Sequence, residues 1–307
     1  MPAEYKLSII TVNYNGLSDT CALIDTLLTQ KLKDTEIVIV DNGSETNEAI
    51  IISQRYTQPF IKAIRSDENR GFAGGNNLGI EAANGKYLFF INNDTKVIDN
   101  WHPEQLIERM ETNRKIGIIC PKIRFSWDHR PIQFAGYTSL SKITLRNRAI
   151  GCNEEDHGQH DIAHPTPYAH GAAMMVSREA LEKTGKMPEC YFLYYEELDW
   201  SMMFRRQGYE IWYDPACTIY HKESQTTGQQ SPLRQYYIVR NRLLFAKRNI
   251  STLQRYLTYA YLILPVAFRD IVCHLLHRHY NLATATITGI SDFLRGWTGP
   301  KKASLSN

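Results

Sequence analysis

Three carboxylates stand within four residues of the segment YYEELDW: Glu196, Glu197 and Asp199. Acidic side chains favour the start of a helix because they complement its dipole, and this accounts for one or two of them. A third acid among so many aromatic neighbours predicts a partly desolvated carboxylate. Burial would raise the basicity of this carboxylate. The segment therefore offers a general base for removing the proton of a hydroxyl group.

Three polar clusters each follow a hydrophobic run, at residues 11–15 (TVNYN), 41–44 (DNGS) and 92–94 (NND). In open α/β sheets, ligands bind beyond the carboxyl ends of the strands. One such cluster is usually a turn, but three on successive strands predict a shared pocket. A dinucleotide-dependent oxidoreductase needs GxGxxG after the first strand, where this chain has NYNG, and the Walker pattern is absent too.

Residues 69–77 (NRGFAGGNN) contain three glycines and three asparagines. This composition also fits a flexible connection, but Phe72 and the paired amides suit close backbone approach to a planar or phosphorylated ligand. His221 follows the last predicted strand. Without a partner, a lone histidine is usually a surface or core residue.

The hydrophobic pattern predicts the elements that position these residues. We expect strands at 7–12, 36–40, 61–64, 86–91, 116–119, 172–176 and 210–213. We expect helices at 18–30 with Ser18 as cap, 74–83, 103–113, from Ser177 as cap to about 185, and 196–207. The alternation predicts a mainly parallel sheet covered on both faces. Residues 125–167 lack a sustained period and predict an irregular excursion with short hairpin strands.

Charge is distributed unevenly along a chain whose net charge is +3. Residues 232–307 contain eleven Lys and Arg against Asp270 and Asp292, so we expect an anionic partner for this helical tail. The apolar run 256–268 contains Pro265 and looks too short to span a bilayer. The six cysteines form no CxxC pair and the chain passes almost directly into a strand, which favours a cytosolic protein without a signal peptide.

Taken together, these segments resemble the inverting glycosyltransferases of family 2, and within them the bacterial rhamnosyltransferase-like branch. The resemblance covers about residues 6–227, in the order SIITVNYNG, EIVIVDNGS, NRGFAGGNNLGI, GKYLFFINNDT, HGAAMMVSREAL, YFLYYEELDWSMMFRRQGY and YH. Residues 234–245 (RQYYIVRNRLLF) are similar to the tail of that branch. The resemblance implies a GT-A (Rossmann-like) mixed, mainly parallel sheet flanked by helices. Its nucleotide-sugar half would be about 1–100, its acceptor half 101–231, and a basic helical extension 232–307.

The resemblance also implies the roles of residues. Asp94, in the place of the family's DxD-type motif, and His221 would bind Mg²⁺ or Mn²⁺ on the donor diphosphate. Asn92 replaces the first acid of that motif and offers a neutral oxygen. The residues implied to line the nucleotide are Thr11, Asn13, Asp41, Asn69, Gly71, Phe72, Asn76, Asn92 and Asn93. Asp41 would accept a hydrogen bond from a pyrimidine base.

The implied reaction is a single in-line displacement at the anomeric carbon of the sugar. Glu197 would be the base, while Glu196 or Asp199 would orient it or hold the acceptor hydroxyl. The implied donor is dTDP-rhamnose or a UDP-sugar, and the implied acceptor is a cell-surface glycan or a lipid-linked glycan precursor; no nucleic acid is expected. We expect a cytoplasmic protein whose tail either touches the inner face of the membrane or packs on the catalytic domain or a second subunit in a homodimer.

Two other classes remain as alternatives. A catalytically silent GT-A-like scaffold subunit of a polysaccharide assembly would keep the same fold but release no nucleoside diphosphate. A nucleotidyltransferase also combines an α/β sheet with a metal. It would need a basic glycine-rich loop after the first strand, and NYNG is not such a loop.

Overall fold

The computed structural model describes residues 5–30, 33–127, 129–223 and 231–301. The strands are β1 (Tyr5–Asn13), β2 (Thr35–Asn42), β3 (Ile61–Ser66), β4 (Gly85–Ile91), β5 (Thr95–Lys96), β6 (Ile116–Phe125), β7 (Ile132–Phe134), β8 (His164–Pro165), β9 (Ala173–Ser177) and β10 (Glu210–His221). The helices are α1 (Leu17–Leu28), α2 (Glu48–Arg55), α3 (Gly71–Ala82), α4 (Pro103–Thr112), α5 (Arg178–Thr184), α6 (Glu196–Arg206), α7 (Pro232–Asn249), α8 (Thr252–Tyr261), α9 (Ala267–Leu276) and α10 (Tyr280–Leu294). Short turns of 3₁₀ and π helix lie at Glu189–Tyr191 and Leu262–Val266.

Within the described residues, the strands form one mixed sheet in the order β3-β2-β1-β4-β9-β6-β10-β5, with β7 on β6 and β8 on β10. The four strands from β3 to β4 are parallel, and β6 is parallel to β10. Every residue of β2 is buried, as both faces of a parallel sheet require. The mixed, mainly parallel sheet flanked by helices and followed by a helical C-terminal segment is therefore confirmed.

Several details differ from the predictions. β9 runs antiparallel between β4 and β6, because a short apolar run does not encode its direction. β10 continues past residue 213 through a register shift between Asp214 and Thr218, so His221 ends this strand rather than following it. Helix α1 begins at Leu17 after Gly16, so the predicted cap at Ser18 is wrong. Ser177 does cap α5 by accepting a hydrogen bond from the Ala180 N–H at 3.2 Å.

The glycine-rich run is helical rather than a connection, since α3 already begins at Gly71. Gly71 has a φ of +72°, and a Cβ there would lie 2.1 Å from the carbonyl oxygen of Phe192. Only glycine fits this turn. The excursion after β6 is largely irregular, as predicted, with β7 and β8 as its short strands.

The tail is helical to Leu294, but the expectation that its apolar run is too short to span a bilayer is wrong. The π-helical turn accommodates Pro265, and helix continues on both sides of it. The resulting 25-residue stretch Thr252–Leu276 is long and apolar enough to cross a membrane by length and composition. That criterion is also met by core helices of soluble proteins. Residues 302–307 of the tail and 224–230 before it lie outside the described residues.

Helix α3 packs closely on the sheet through Gly79. A Cβ at this position would lie 2.4 Å from Cγ2 of Ile10 and 3.4 Å from Cγ2 of Val40. Although alanine favours helix, we expect Gly79→Ala to lower the free energy of unfolding by about 1–3 kcal/mol through overpacking. Chemical denaturation measures this, with Glu81→Ala on the exposed face of α3 as the control that stays within about 0.5 kcal/mol of wild type. An unchanged midpoint for Gly79→Ala would contradict the packing described.

Candidate active site

Asp94 and His221 meet at the edge of the sheet. Thr95 of β5 pairs with His221 of β10, which brings the preceding residue, Asp94, beside the imidazole. The Asp94 Oδ1 and His221 Nε2 atoms are 3.1 Å apart, and each residue is only 6% exposed. Among the residues that the structure describes, neither oxygen of Asp94 nor His221 Nε2 has a hydrogen-bond partner. Buried polar atoms left in this state are costly and indicate a site for a ligand.

The tautomer of His221 is set by Gln133 on β7. His221 Nδ1 lies 2.9 Å from Oε1 of Gln133, which can only accept, so Nδ1 carries a proton and Nε2 of the neutral ring has the lone pair. A hydrogen bond from the far ring nitrogen to an acceptor is typical of histidines that bind metals. A carboxylate oxygen and an imidazole nitrogen at one buried point fit a divalent cation. In the described ranges, no group of three His, Cys, Asp or Glu residues converges, so other ligands would come from water or phosphate oxygens.

The ends of β1 and β4 lie side by side, because the two strands pair in parallel. Asn92 and Asn93 are half-buried, and Asn93 Nδ2 donates to Thr20 Oγ1 of α1 at 3.1 Å. Gly16 lies against Asn93, since a Cβ there would be 2.6 Å from Nδ2. Sequence reasoning missed Tyr14 in this turn, which is 41% exposed and offers an aromatic face for stacking.

Thr11, Asn13 and Asp41, which are predicted to line the nucleotide, have no exposed surface. Asn13 accepts from Thr20 at 2.7 Å and donates to Glu48. Asn13 therefore supports the loops around the pocket. Thr11 Oγ1 is buried with no partner in the described parts of the chain.

Asp41 caps the loop before α2. Its carboxylate accepts from the backbone of Ser44 and Glu48 at 3.1 and 3.0 Å and pairs with Arg65. Burial alone would raise the pKa of Asp41, but hydrogen bonds from Ser44, Ala49 and Arg65 outweigh it and hold the pKa below its usual value. Three backbone N–H groups and Arg65 thus occupy the carboxylate for which a hydrogen bond from a pyrimidine base is predicted.

Residues 69–77 form the start of α3, and hydrogen bonds within this segment stabilise it. Asn69 Oδ1 accepts from the Gly71 N–H at 2.9 Å, and buried Asn76 donates to the Phe72 carbonyl at 2.9 Å. Phe72 is half-buried and approaches Glu197 across Gly171. A Cβ on Gly171 would lie 3.7 Å from Glu197 Cγ and 3.9 Å from Phe72 Cζ. The start of α3 and the start of α6 therefore face each other.

The three acids of α6 occupy different environments. Asp199 is fully buried, accepts from Tyr191 at 3.1 Å and Asn249 at 2.8 Å, and pairs with Arg248. It joins α6 to α7. Glu196 is buried, and burial together with the charge of Glu197 raises its pKa well above the usual value. Glu197 is half-buried, and burial raises its pKa as well.

His170, directly before Gly171, is a further residue that sequence reasoning did not single out. Its Nδ1 accepts from the Ala172 N–H at 3.1 Å, and its ring stacks on Tyr137 at 6.0 Å. Burial and the nearby His221 lower its pKa to about 3, so the ring is neutral with its proton on Nε2. The only sequence signal was its place in HGAA before β9.

The chain is similar to a known protein family. Residues 8–185, more than half of the chain, match the family described as "Glycosyl transferase family 2". The "Low-salt glycan biosynthesis hexosyltransferase Agl10" of Haloferax volcanii is 29% identical over 243 residues, 78% of this chain and 74% of that protein. The "Poly-beta-1,6-N-acetyl-D-glucosamine synthase" of Staphylococcus epidermidis is 26% identical over 225 residues, 72% of this chain and 51% of that protein.

Two solved structures share the fold. The "Mannosyltransferase PcManGT from Pyrobaculum calidifontis in complex with GDP-Man and Mn2+" has a TM-score of 0.59 at 14% identity and covers 95% of this chain and 88% of its own. The structure of "GalNAc-T7 with UDP, GalNAc and Mn2+" has a TM-score of 0.61 at 16% identity over 88% of this chain and 58% of its own. These likenesses show a GT-A-like sheet with flanking helices. With the family match and the named relatives, they lead to one conclusion: the chain is a glycosyltransferase that belongs to glycosyltransferase family 2.

Proposed function

We propose that the protein is a metal-dependent, inverting member of the family that transfers a sugar from a nucleoside-diphosphate donor to a hydroxyl of a glycan or lipid-linked glycan precursor. The observation that carries this proposal is the buried pair of Asp94 and His221, whose facing atoms lack partners among the described residues. Bound there, Mg²⁺ or Mn²⁺ would neutralise charge on the departing diphosphate. Asn92 and Asn93, half-buried beside the pair, supply neutral amides for the diphosphate or the sugar.

Glu197 is the base in this proposal. Adjacent residues in a helix point about 100° apart, so Glu196 and Glu197 do not both face the acceptor. Asp199 is committed to Arg248 and Asn249, while Glu197 lies beside Gly171 and Phe72. As the acceptor oxygen attacks the anomeric carbon, Glu197 takes its proton and the bond from that carbon to the diphosphate oxygen breaks. The anomeric centre is inverted in one step.

The finer assignments are proposals of the same kind. A UDP-sugar or dTDP-rhamnose as donor is supported by the resemblance to the rhamnosyltransferase-like branch, and transfer of a hexose by the "hexosyltransferase" relative. The division into a donor half (1–100), an acceptor half (101–231) and an extension (232–307) belongs to the same proposal.

Nucleotide sugars with and without Mn²⁺ test the proposed activity directly. We expect a thermal shift with UDP- or dTDP-sugars that depends on Mn²⁺, followed by release of the nucleoside diphosphate. A protein that binds a donor but releases no nucleoside diphosphate with any acceptor fraction would instead be the silent scaffold subunit.

Asp94→Ala should abolish turnover and the Mn²⁺-dependent thermal shift, because it removes the only carboxylate at the proposed cation position in the described structure. His221→Ala should weaken both less completely, since water can replace one ligand. Asp270→Ala, at an exposed ion pair in the tail, is the matched control. Normal turnover of Asp94→Ala with Mn²⁺ would remove the metal assignment.

Gln133→Leu supplies a finer arm of the same experiment. It leaves both proposed ligands in place but removes the acceptor that holds the proton on His221 Nδ1. We expect Mn²⁺ affinity, measured calorimetrically in the presence of UDP, to fall by about 10–100-fold.

The raised pKa of Glu197 predicts how turnover depends on pH. A base works only when deprotonated, so turnover should rise with pH through a midpoint above the ordinary glutamate value. Glu197→Gln should abolish this rise and reduce transfer by roughly 10²–10⁴-fold while donor affinity survives. A pH–rate profile checks this, with exposed Glu182→Gln as control. If Glu197→Gln transfers normally and Asp199→Asn does not, the base is Asp199.

The membrane contact of the tail rests on its exposed apolar residues. The described face of α8 and α9 exposes Leu253, Tyr256, Leu257, Leu264, Phe268 and Leu276, while Thr258, Leu262 and Ala267 face the protein. The extension carries eleven basic residues against two acids, which complements anionic lipid headgroups. We propose that this face lies on the cytoplasmic surface of an anionic membrane.

Flotation with phosphatidylglycerol-containing vesicles tests this face. The full chain should float at low salt, detach at high salt or alkaline pH, and lose flotation on Leu264→Glu with Phe268→Glu. Asp25→Ala, far from the tail in sequence, is the control. Failure to float at low salt, with a dimer mass in solution, would assign the face to a second copy of the chain, and retention after alkaline extraction would indicate that Thr252–Leu276 spans the bilayer.

A further inference from the structure

The four residues before α6 have an unusual backbone. Phe192, Tyr194 and Tyr195 have φ angles of +67°, +67° and +79°, a region that residues with a Cβ seldom adopt. All three are aromatic, so the conformation does not come from glycine or asparagine. Strain of this kind persists only where surrounding contacts impose it, and it clusters at functional sites.

The contacts that impose it come from Asn241, in the middle of α7. Its Nδ2 lies 3.0 Å from the Tyr191 carbonyl oxygen, 2.7 Å from that of Leu193 and 3.0 Å from that of Tyr194. Two N–H protons are therefore shared among three carbonyl groups of one loop. Asn241 has no exposed surface, so water does not compete for these bonds.

Arg240 fixes the orientation of that amide. Its Nε donates to Asn241 Oδ1 at 2.9 Å, so the amide nitrogen must face the loop, and its Nη2 donates to the Tyr191 carbonyl at 2.7 Å. The guanidinium is 1% exposed and lies over the ring of Tyr237 at 4.9 Å. Its Nη1 donates to the Gly299 carbonyl at 2.7 Å. A buried cation held by so many directed contacts has a single orientation.

The loop that these two residues hold joins the two halves of the active site. The Phe192 carbonyl accepts from the Phe72 N–H at 2.9 Å, at the start of α3 on the donor side. Tyr195 is the last residue before α6, which begins with Glu196 and Glu197. Any shift of the loop would move the proposed base relative to the donor. Asp94 lies directly before β5 and His221 ends β10, so both are outside this loop.

We propose that Arg240 and Asn241 are positioning residues, which hold the strained loop 192–195 and thereby set the location of Glu197 relative to the bound donor. This inference rests on the proposed function, because it names Glu197 as the base. Small misplacements of a reacting group cost large factors in rate, whereas binding of the nucleotide and the cation tolerates them. The role predicts loss of kcat with little change in donor affinity.

The experiment compares Asn241→Ala with Gln235→Ala, which also removes an amide of α7, one that donates to Thr286 of α10 at 2.8 Å. Binding is measured with UDP and Mn²⁺. Turnover is measured as hydrolysis of the nucleotide sugar that gives the largest thermal shift, with water as acceptor. Hydrogen exchange of the amides of residues 192–197 is measured without any ligand. Arg240→Lys serves as the second variant where Asn241→Ala does not fold.

We expect Asn241→Ala to lower kcat by about 10–100-fold, to keep KM and UDP–Mn²⁺ affinity within about threefold, and to speed loop exchange. Gln235→Ala should change none of these. Equal exchange in Asn241→Ala and wild type would overturn the inference whether or not the enzyme turns over. Parallel loss of binding and turnover would also overturn it, because the role would then be support of the whole fold. A wild-type protein that releases no nucleoside diphosphate with water or any acceptor fraction, while the variant's loop exchanges faster, would instead refute the proposed function.

Discussion

The pairing of two residues, Thr95 and Lys96, with the end of β10 determines where the proposed cation site forms. It places Asp94 against His221 although the two are far apart in the chain, and the Lys222 N–H donates to the Asp94 carbonyl at 3.0 Å to close the turn. The pairing requires β10 to continue beyond its register shift at 214–218. A carboxylate and an imidazole are thereby buried with their facing atoms unbonded in the described structure. Burying these atoms without partners costs free energy, but the strand pairings of the sheet hold both residues in place.

Around this point, environment decides which polar residues can react. Glu196, Glu197 and Asp199 lie on one turn of α6, yet Asp199 is neutralised by Arg248 while burial raises the pKa of both glutamates. Likewise the carboxylate of Asp41 accepts hydrogen bonds from Arg65 and backbone N–H groups, whereas the carboxylate of Asp94 has no hydrogen-bond donor among the described groups. Residue type offers the chemistry, and the contacts select where it is available.

The sequence predicted much of the architecture because hydrophobic runs and strand-end polar clusters are local signals. Such signals predicted the strand that carries Asp41, the strand that precedes Asp94, the start of α6 and the cap at Ser177. Other features depend on pairings between distant segments. The antiparallel entry of β9, the extension of β10 to His221 and the hydrogen bond of Gln133 to His221 belong to this class. The same holds for burial: only the folded structure shows that Thr11, Asn13 and Asp41 have no exposed surface.

The tail shows most clearly that a change in sequence composition need not mark the end of a structural unit. The sequence changes character at Pro232, where α7 begins, and by that criterion the remainder is an extension. Yet Arg248 of α7 neutralises buried Asp199, and the amide of Asn249 donates a hydrogen bond to it. The amide of Asn241, also in α7, donates to the loop before α6. Without α7, a buried carboxylate would lose its counter-ion, which is among the most destabilising changes a protein interior undergoes. The strained backbone of residues 192–195 would lose its bonds at the same time. Residues 1–231 therefore contain the groups proposed for the chemistry, but the placement of Glu197 requires the helix that follows them.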